Sequence, residues 1–156
     1  MAIVVTGTPG TGKTEIAKAI AKKLKMKYID VNDVIDSNNL KEFYDKKRDT
    51  YVVDEKKLSR ILIGMIKMDS GIVIDSHMAH EVPPKYVDLC VVTKCGLKEL
   101  KRRLSKRGYH EGKIKENMDA EIFDICIEEA RDMGHKLLII DTTKKKALKL
   151  VESLLS

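Results

Sequence analysis

No stretch of this 156-residue chain stays apolar for the roughly eighteen residues a membrane helix needs. Nor does a basic leader with an apolar core open it, since Met1 runs straight into Ala2-Ile3-Val4-Val5. Neither a membrane span nor a secretory signal is therefore expected. Cysteine is scarce, and its number is odd: Cys90, Cys95 and Cys126. That reads as reduced thiols in a cytoplasmic setting. Cys90 and Cys95 have no second Cys/His pair at zinc spacing, which argues against a metal site of that kind. Aromatic residues are only 4% of the chain and form no RNA-binding motif, so the net charge of +6 lacks the pattern of an RNA-stacking surface. The excess sits in Lys22-Lys23, Lys101-Arg102-Arg103 and Lys144-Lys145-Lys146. A solvated helix surface that also attracts nucleotide phosphates is favoured over contact with RNA or a ribosomal particle. Repeats, low-complexity tracts and linkers are also missing, and the length fits one domain spanning 1–156.

What is present is more specific. Gly7-Thr8-Pro9-Gly10-Thr11-Gly12-Lys13-Thr14 matches the phosphate-binding pattern G-x-x-x-x-G-K-[ST] in full. A short apolar strand precedes it and helical periodicity comes after, with Ile16, Ala17, Ile20, Ala21 and Leu24 on one face of a helix over 13–25. Such a loop turns successive backbone N–H groups toward one point, where the helix N-terminus adds partial positive charge. There Lys13 would reach β/γ-phosphate oxygens and the Thr14 hydroxyl would ligate Mg²⁺. A glycine turn that only reverses the chain would not need the GKT triplet.

Further along, the spacing predicts a strand over 28–31, with Asn32 or Asp33 capping the next element. A small helical excursion and loop are expected over 36–51, then a helix capped by Asp54 with Leu58, Ile61, Leu62 and Met65 inward. Strands are expected over 71–75, 86–93 and 136–141, and helices over 97–105, over 114–133 as one long element, and at the C-terminus. Strands alternating with helices predict an α/β fold whose parallel sheet is flanked by helices on both faces. Ligands of such sheets bind beyond the carboxyl ends of the strands, which is where the P-loop, Asp75 and the segment after Asp141 fall.

Asp75 ends an apolar strand, the position from which a P-loop enzyme holds Mg²⁺ through water; the bland alternative is an acid that caps the next turn. His77 lies two residues on, placed to orient a water or an acceptor phosphate, although a lone histidine is more often packed or solvent-exposed. His80, His110 and His135 take that bland reading, and Arg102 and Arg103 read as surface residues. Arg107 stands in an exposed Arg-Gly break between helices. An arginine on a mobile loop there would stabilise transferring phosphoryl charge, and one at a helix C-terminus would suit the dipole; the residues leave these even. Guanine specificity needs N-K-x-D, and Thr93-Lys94-Cys95-Gly96 stands in its place without the Asp. A shikimate- or dephospho-coenzyme-A-type kinase shares the loop and the length and stays open.

Over nearly its whole length the chain resembles the adenylate kinase isoenzyme six family, also described as a nuclear or archaeal ribosome-assembly ATPase. The resemblance rests on the P-loop, Tyr28-Ile29-Asp30-Val31 with Asp33, and Val53-Asp54-Glu55. Narrower still are Ile74-Asp75-Ser76-His77 and Arg107-Gly108-Tyr109 with Lys113, Asn117 and Glu121-Ile122-Phe123 beyond. It implies a P-loop nucleoside monophosphate kinase fold with residues 33–54 as monophosphate-binding region and 106–116 as a short lid. It further implies reversible, Mg²⁺-dependent phosphoryl transfer from ATP to AMP. Gly10, Gly12, Lys13, Thr14 and Glu15 would bind ATP and Arg107 would close on it. Asp75 and His77 would serve the Mg²⁺ and acceptor side, and Thr142-Thr143-Lys144 would flank adenine. The family also implies ATP hydrolysis, a small-subunit ribosomal protein of the S-eleven type as partner, an indirect contact with precursor rRNA, and a role in small-subunit maturation. Two other readings stand beside this one: an assembly switch whose kinase activity is incidental, and a small-metabolite kinase. The chain departs from longer adenylate kinases in lacking an arginine over 76–81 and in its short lid without cysteines, and from the family's common pattern in having Lys57 where arginine is frequent. Fewer acceptor-side arginines imply weaker clamping of a monophosphate and a larger share of plain hydrolysis.

Overall fold

The computed structural model describes residues 1–144 and 146–155; Lys145, in the middle of the last basic triplet, lies outside them. Five parallel strands form the sheet, in the order β2 (Lys27–Asp30), β5 (Ile72–Asp75), β1 (Ala2–Gly7), β6 (Leu89–Lys94), β7 (Leu137–Asp141). The central strand β1 is buried at every position, because helices cover both faces and leave it no solvent side. Side chains alternate between two cores, as the strand period of two requires. Val4, Ile72, Ile74, Cys90 and Val92 meet α2 (Val31–Ser37), α3 (Glu55–Met68) and α6 (Ile125–Met133). Ile3, Val5, Val73 and Val91 meet α1 (Lys13–Leu24) and α7 (Ala147–Leu155). A smaller cluster of Cys95, Leu100 and Leu104 joins α4 (Leu97–Lys106) to α5 (Glu111–Ile122). Among the described residues no helix is long and apolar enough to cross a membrane.

The expected α/β architecture is present, and local boundaries differ where side-chain bonding decided them. The excursion expected to be helical is an antiparallel hairpin, β3 (Lys41–Asp45) with β4 (Thr50–Val53). Its strands carry Phe43, Tyr44, Tyr51, Val52 and Val53, side chains that suit a pleated surface better than a helix. The Asp45 carboxylate accepts from the Lys47 and Arg48 amides to close the turn, and Asp49 takes the left-handed conformation there (φ 51°). Helix α2 is capped by Asp30, whose carboxylate accepts from the Asn32 amide at 2.9 Å, rather than by Asn32 or Asp33. The long helix is two, parted at Phe123 and Asp124, with Asp124 left-handed (φ 49°). Neither residue is a glycine or proline, so no breaker marks the elbow in the sequence. A tertiary contact accompanies it: Lys94 Nζ donates to Asp124 Oδ1 at 3.3 Å. Strand β6 begins only at Leu89, since Pro83 and Pro84 start a short 3-10 turn over Pro84–Tyr86.

Candidate active site

The carboxyl ends of β1, β5, β6 and β7 converge on the loop from Thr8 to Gly12. Helix α1 starts at Lys13 with Gly12 as its N-cap and no side chain capping it. The first amides of the helix are thus left for an anion, which is what a phosphate cradle requires. Two glycines are needed for space. A Cβ on Gly7 would lie 2.4 Å from Thr93 Oγ1. One on Gly10, at φ +92°, would lie 2.9 Å from Leu104 Cδ2 and 3.0 Å from Leu100 Cδ1. Gly10→Ala combines left-handed strain with overpacking of two buried leucines, so a loss of roughly 2–4 kcal/mol is expected. Urea denaturation checks it, and an unchanged midpoint would contradict this packing.

Hydroxyls hold the loop from behind. Thr11 Oγ1 donates to Thr8 O at 2.6 Å and lies 2.7 Å from Thr93 Oγ1 at the end of β6. Thr142, just after β7, donates to Thr11 O at 2.6 Å. Thr8 Oγ1 donates to Glu121 of α5 at 3.1 Å. Lys13 Nζ donates to Thr8 O at 3.4 Å. Burial presses its pKa down to about 8, against the opposing pull of the Asp75 carboxylate.

The structure brings together the two candidate metal residues: Thr14 Oγ1 donates to Asp75 Oδ2 at 2.8 Å. The same oxygen accepts from the Tyr28 hydroxyl at 2.7 Å. Burial, then the bond to Asp75, raises the Tyr28 pKa, so the phenol remains a donor. Asp75 itself is 5% exposed. Among the described residues no group of three or more His, Cys, Asp or Glu converges. A cation at Thr14 and Asp75 would therefore complete its shell with phosphate and water oxygens, an all-oxygen set that fits Mg²⁺.

His77 sits beyond β5, its carbonyl accepting from Thr6 Oγ1 at 3.1 Å. Surrounding protein first, and the Lys13 ammonium second, bring the imidazole pKa down to about 4, although the residue as a whole is exposed. It is thus neutral at pH 7. Thr14 and Glu15 lie exposed at the start of α1. Arg107 is the exposed C-cap of α4, and its charge reaches Lys13, where it favours the neutral amine. Lys144 is exposed beyond β7, beside Thr143, whose Oγ1 accepts from the Gly96 amide at 2.8 Å. A cavity opens between α3 and the segment after β5, lined by Val31, Glu55, Leu58, Ser59, Ser76 and Glu81 among others. Over the cleft, Lys113 Nζ donates to Asp49 O at 3.2 Å, so the start of α5 rests on the hairpin turn.

Four participants were not visible in the sequence. Arg103, read there as a surface residue, is a clamp: it donates to Gly10 O at 3.3 Å, Thr142 Oγ1 at 3.1 Å and Thr142 O at 2.8 Å while Glu99 holds its Nε. Its place in a basic triplet hid this, because only the close approach of β7's exit to the P-loop gives it partners. Tyr28 and Glu121 act through long-range contacts, although both stood in the segments that carry the resemblance. The fourth, His80, is packed, as expected for a lone histidine, and is also fully bonded: Nδ1 lies 2.8 Å from Thr6 Oγ1 and Nε2 2.7 Å from Glu129. His110 caps α5, accepting from the Lys113 amide, and His135 is buried against His80 O.

Comparison with known proteins decides the lineage of this site. A family described as an AAA domain matches residues 3–124. An adenylate kinase isoenzyme 6 homolog of Caenorhabditis elegans is 40% identical over 131 residues, 83% of this chain and 72% of its own. The adenylate kinase isoenzyme 6 homolog FAP7 of Saccharomyces cerevisiae is 37% identical over 140 residues, 89% of this chain and 71% of its own. The chain belongs to the adenylate kinase isoenzyme 6 family. Among solved structures, shikimate kinase from Acinetobacter baumannii in complex with shikimate superposes with a TM-score of 0.70 over 99% of this chain and 90% of its own. At 15% identity that likeness concerns the fold alone. This family member is a P-loop protein of kinase type, and such membership implies ATP as phosphoryl donor.

Proposed function

We propose that this protein is an adenylate kinase, moving a phosphoryl group reversibly between ATP and AMP to give ADP, in a Mg²⁺-dependent reaction. The observation that carries the reading is the Thr14–Asp75 pair beside Lys13, with a cavity opening at Ser76, the residue after Asp75. Gly10, Gly12, Lys13, Thr14 and the first turn with Glu15 hold the ATP phosphates, and Thr142, Thr143 and Lys144 flank the adenine. Thr14 and Asp75 hold Mg²⁺, which when bound neutralises phosphate charge. Lys13 and Arg107 neutralise the equatorial oxygens of the transferring group, Arg107 arriving as residues 106–116 close and exclude water. His77, neutral at pH 7, orients the acceptor phosphate through hydrogen bonds without competing with Lys13 as a cation. Residues 33–54 and the cavity take the AMP.

A second reading is favoured by the cavity itself, which is lined by Glu55 and Glu81 and by no arginine, and which takes in part of the 76–81 stretch where longer adenylate kinases carry one. Two carboxylates clamp a monophosphate poorly, so ATP hydrolysis takes a larger share. The nucleotide cycle then serves as a cytoplasmic switch, without membrane attachment, for an S-eleven-type ribosomal protein and, indirectly, precursor rRNA in small-subunit maturation. Incubation with Mg·ATP alone and then with AMP, CMP, UMP or GMP, with chromatography of all nucleotides, separates the two. Two ADP formed per AMP consumed is the result expected of the kinase. Equal ADP and phosphate with every acceptor would move the assignment to the switch, and no turnover with any monophosphate would leave a small-metabolite kinase.

A further inference from the structure

Glu121 is a carboxylate 8% exposed, far along α5 from the lid, and the phosphoryl-transfer scheme gives it no task. Its two oxygens go separate ways. Oε1 accepts from Thr8 Oγ1 at 3.1 Å, and Oε2 accepts from the Cys95 amide at 2.7 Å. Thr8 is the hub of the P-loop, since its carbonyl receives Thr11 N at 3.2 Å, Thr11 Oγ1 at 2.6 Å and Lys13 Nζ at 3.4 Å. Cys95 leads into Gly96, whose amide donates to Thr143 Oγ1 at 2.8 Å, while Thr142 N donates to Lys94 O at 2.9 Å. One buried side chain thus joins the loop that cradles phosphates to the segment beside the proposed adenine position.

We infer that Glu121 is a positioning residue for ATP, fixing the distance between the phosphate loop and the base-side segment by bridging Thr8 Oγ1 and the Cys95 amide. It touches no reacting atom. A charged carboxylate is costly to bury, and burial raises its pKa here, so its retention calls for a task that two simultaneous acceptors fulfil. This inference rests on ATP binding at the P-loop, but not on the identity of the acceptor.

Glutamine can replace the bridge. Its Oε1 accepts from Cys95 N while its amide donates to Thr8 Oγ1, a hydroxyl that both donates and accepts. Methionine fills the volume and bonds to neither. The test measures the affinity of the full chain for the non-hydrolysable imido analogue of ATP by calorimetry, together with thermal melting. Glu121→Met is expected to weaken binding by about tenfold to a hundredfold, Thr8→Val by about fivefold, and Glu121→Gln by less than about threefold. The Thr8→Val/Glu121→Met pair should lose less than the product of the single losses, because both cut the same link. A merely structural carboxylate would lower the melting temperature in Glu121→Met and leave the affinity of the folded protein unchanged, which would overturn the inference, as would losses that multiply. Should Glu121→Met not fold, Thr8→Val and Glu121→Gln decide: weak binding in the first with near-native binding in the second supports the bridge, and any other pattern rejects it. Failure of the wild-type chain to bind the analogue would instead refute the nucleotide reading itself.

Discussion

Replacing Lys13 by methionine is expected to cut phosphoryl transfer by about a thousandfold while the chain remains folded. The ammonium lies at the phosphate cradle, within reach of Thr8 O, and methionine matches its stem without its charge. In the structure the amine has one carbonyl partner at 3.4 Å, so little bonding is lost with it. Its removal also has a signature in stability. The folded pKa of about 8 lies below the ordinary value of 10.5, so between those values the unfolded chain holds more protons and wild-type stability rises with pH. Below that window the full cost of burying the ammonium is present; above it, the cost is gone. Lys13→Met is therefore expected to melt higher than wild type at pH 7 and to lose that advantage by about pH 10.5. Melting curves at the two pH values test this. Equal differences at both would mean that Lys13 is not strained by burial, and retention of most activity would sink its proposed role.

The P-loop and the sheet were legible because their signals are local. Gly7 to Thr14 specifies a backbone path residue by residue, and the strands around Val4, Val73 and Val91 announce themselves as apolar runs of strand length. Asp75 could be placed for the same reason, as the acid that ends such a run. The hairpin over 41–53 was not legible. Its two faces are largely exposed, so neither a period of two nor one of 3.6 marks it, and its turn is fixed by Asp45 bonding to its own backbone. The elbow at Asp124 was hidden differently, since it lies inside a continuous helical pattern and its ion-pair partner, Lys94, is thirty residues away.

Within the site, residue type misled most where the decisive partner came from another strand's exit. Arg103 sits in Lys101-Arg102-Arg103, and helical spacing cannot distinguish it from its solvated neighbour Arg102. The register of β6 with β7 brings Thr142 to it, and that pairing fixes its role. Tyr28 is similar: the β2–β5 pairing sets Asp30 opposite Asp75 and brings the phenol within 2.7 Å of the carboxylate. Long-range parallel pairing is thus the step from motif to site, and no short window contains it.

Asp75→Asn should slow phosphoryl transfer by about a hundredfold or more and raise the Mg²⁺ concentration needed for half-maximal rate. The substitution is nearly isosteric, so the test concerns charge more than shape. Asp75 Oδ2 accepts from both Thr14 and Tyr28, and an amide oxygen can accept the same two bonds. The sheet around β5 should therefore survive, with a melting temperature near that of wild type. A residue that only ended the strand would give Asp75→Asn a normal rate and normal Mg²⁺ demand, and that outcome would remove it from the metal side. Tyr28→Phe separates the two bonds further. It leaves the carboxylate charge in place and deletes one donor, so its effect should be no more than about fivefold. If Tyr28→Phe proved as damaging as Asp75→Asn, the phenol rather than the carboxylate charge would be the group on which the reaction depends. The ordering of the two variants, more than either rate alone, assigns the chemistry at the end of β5.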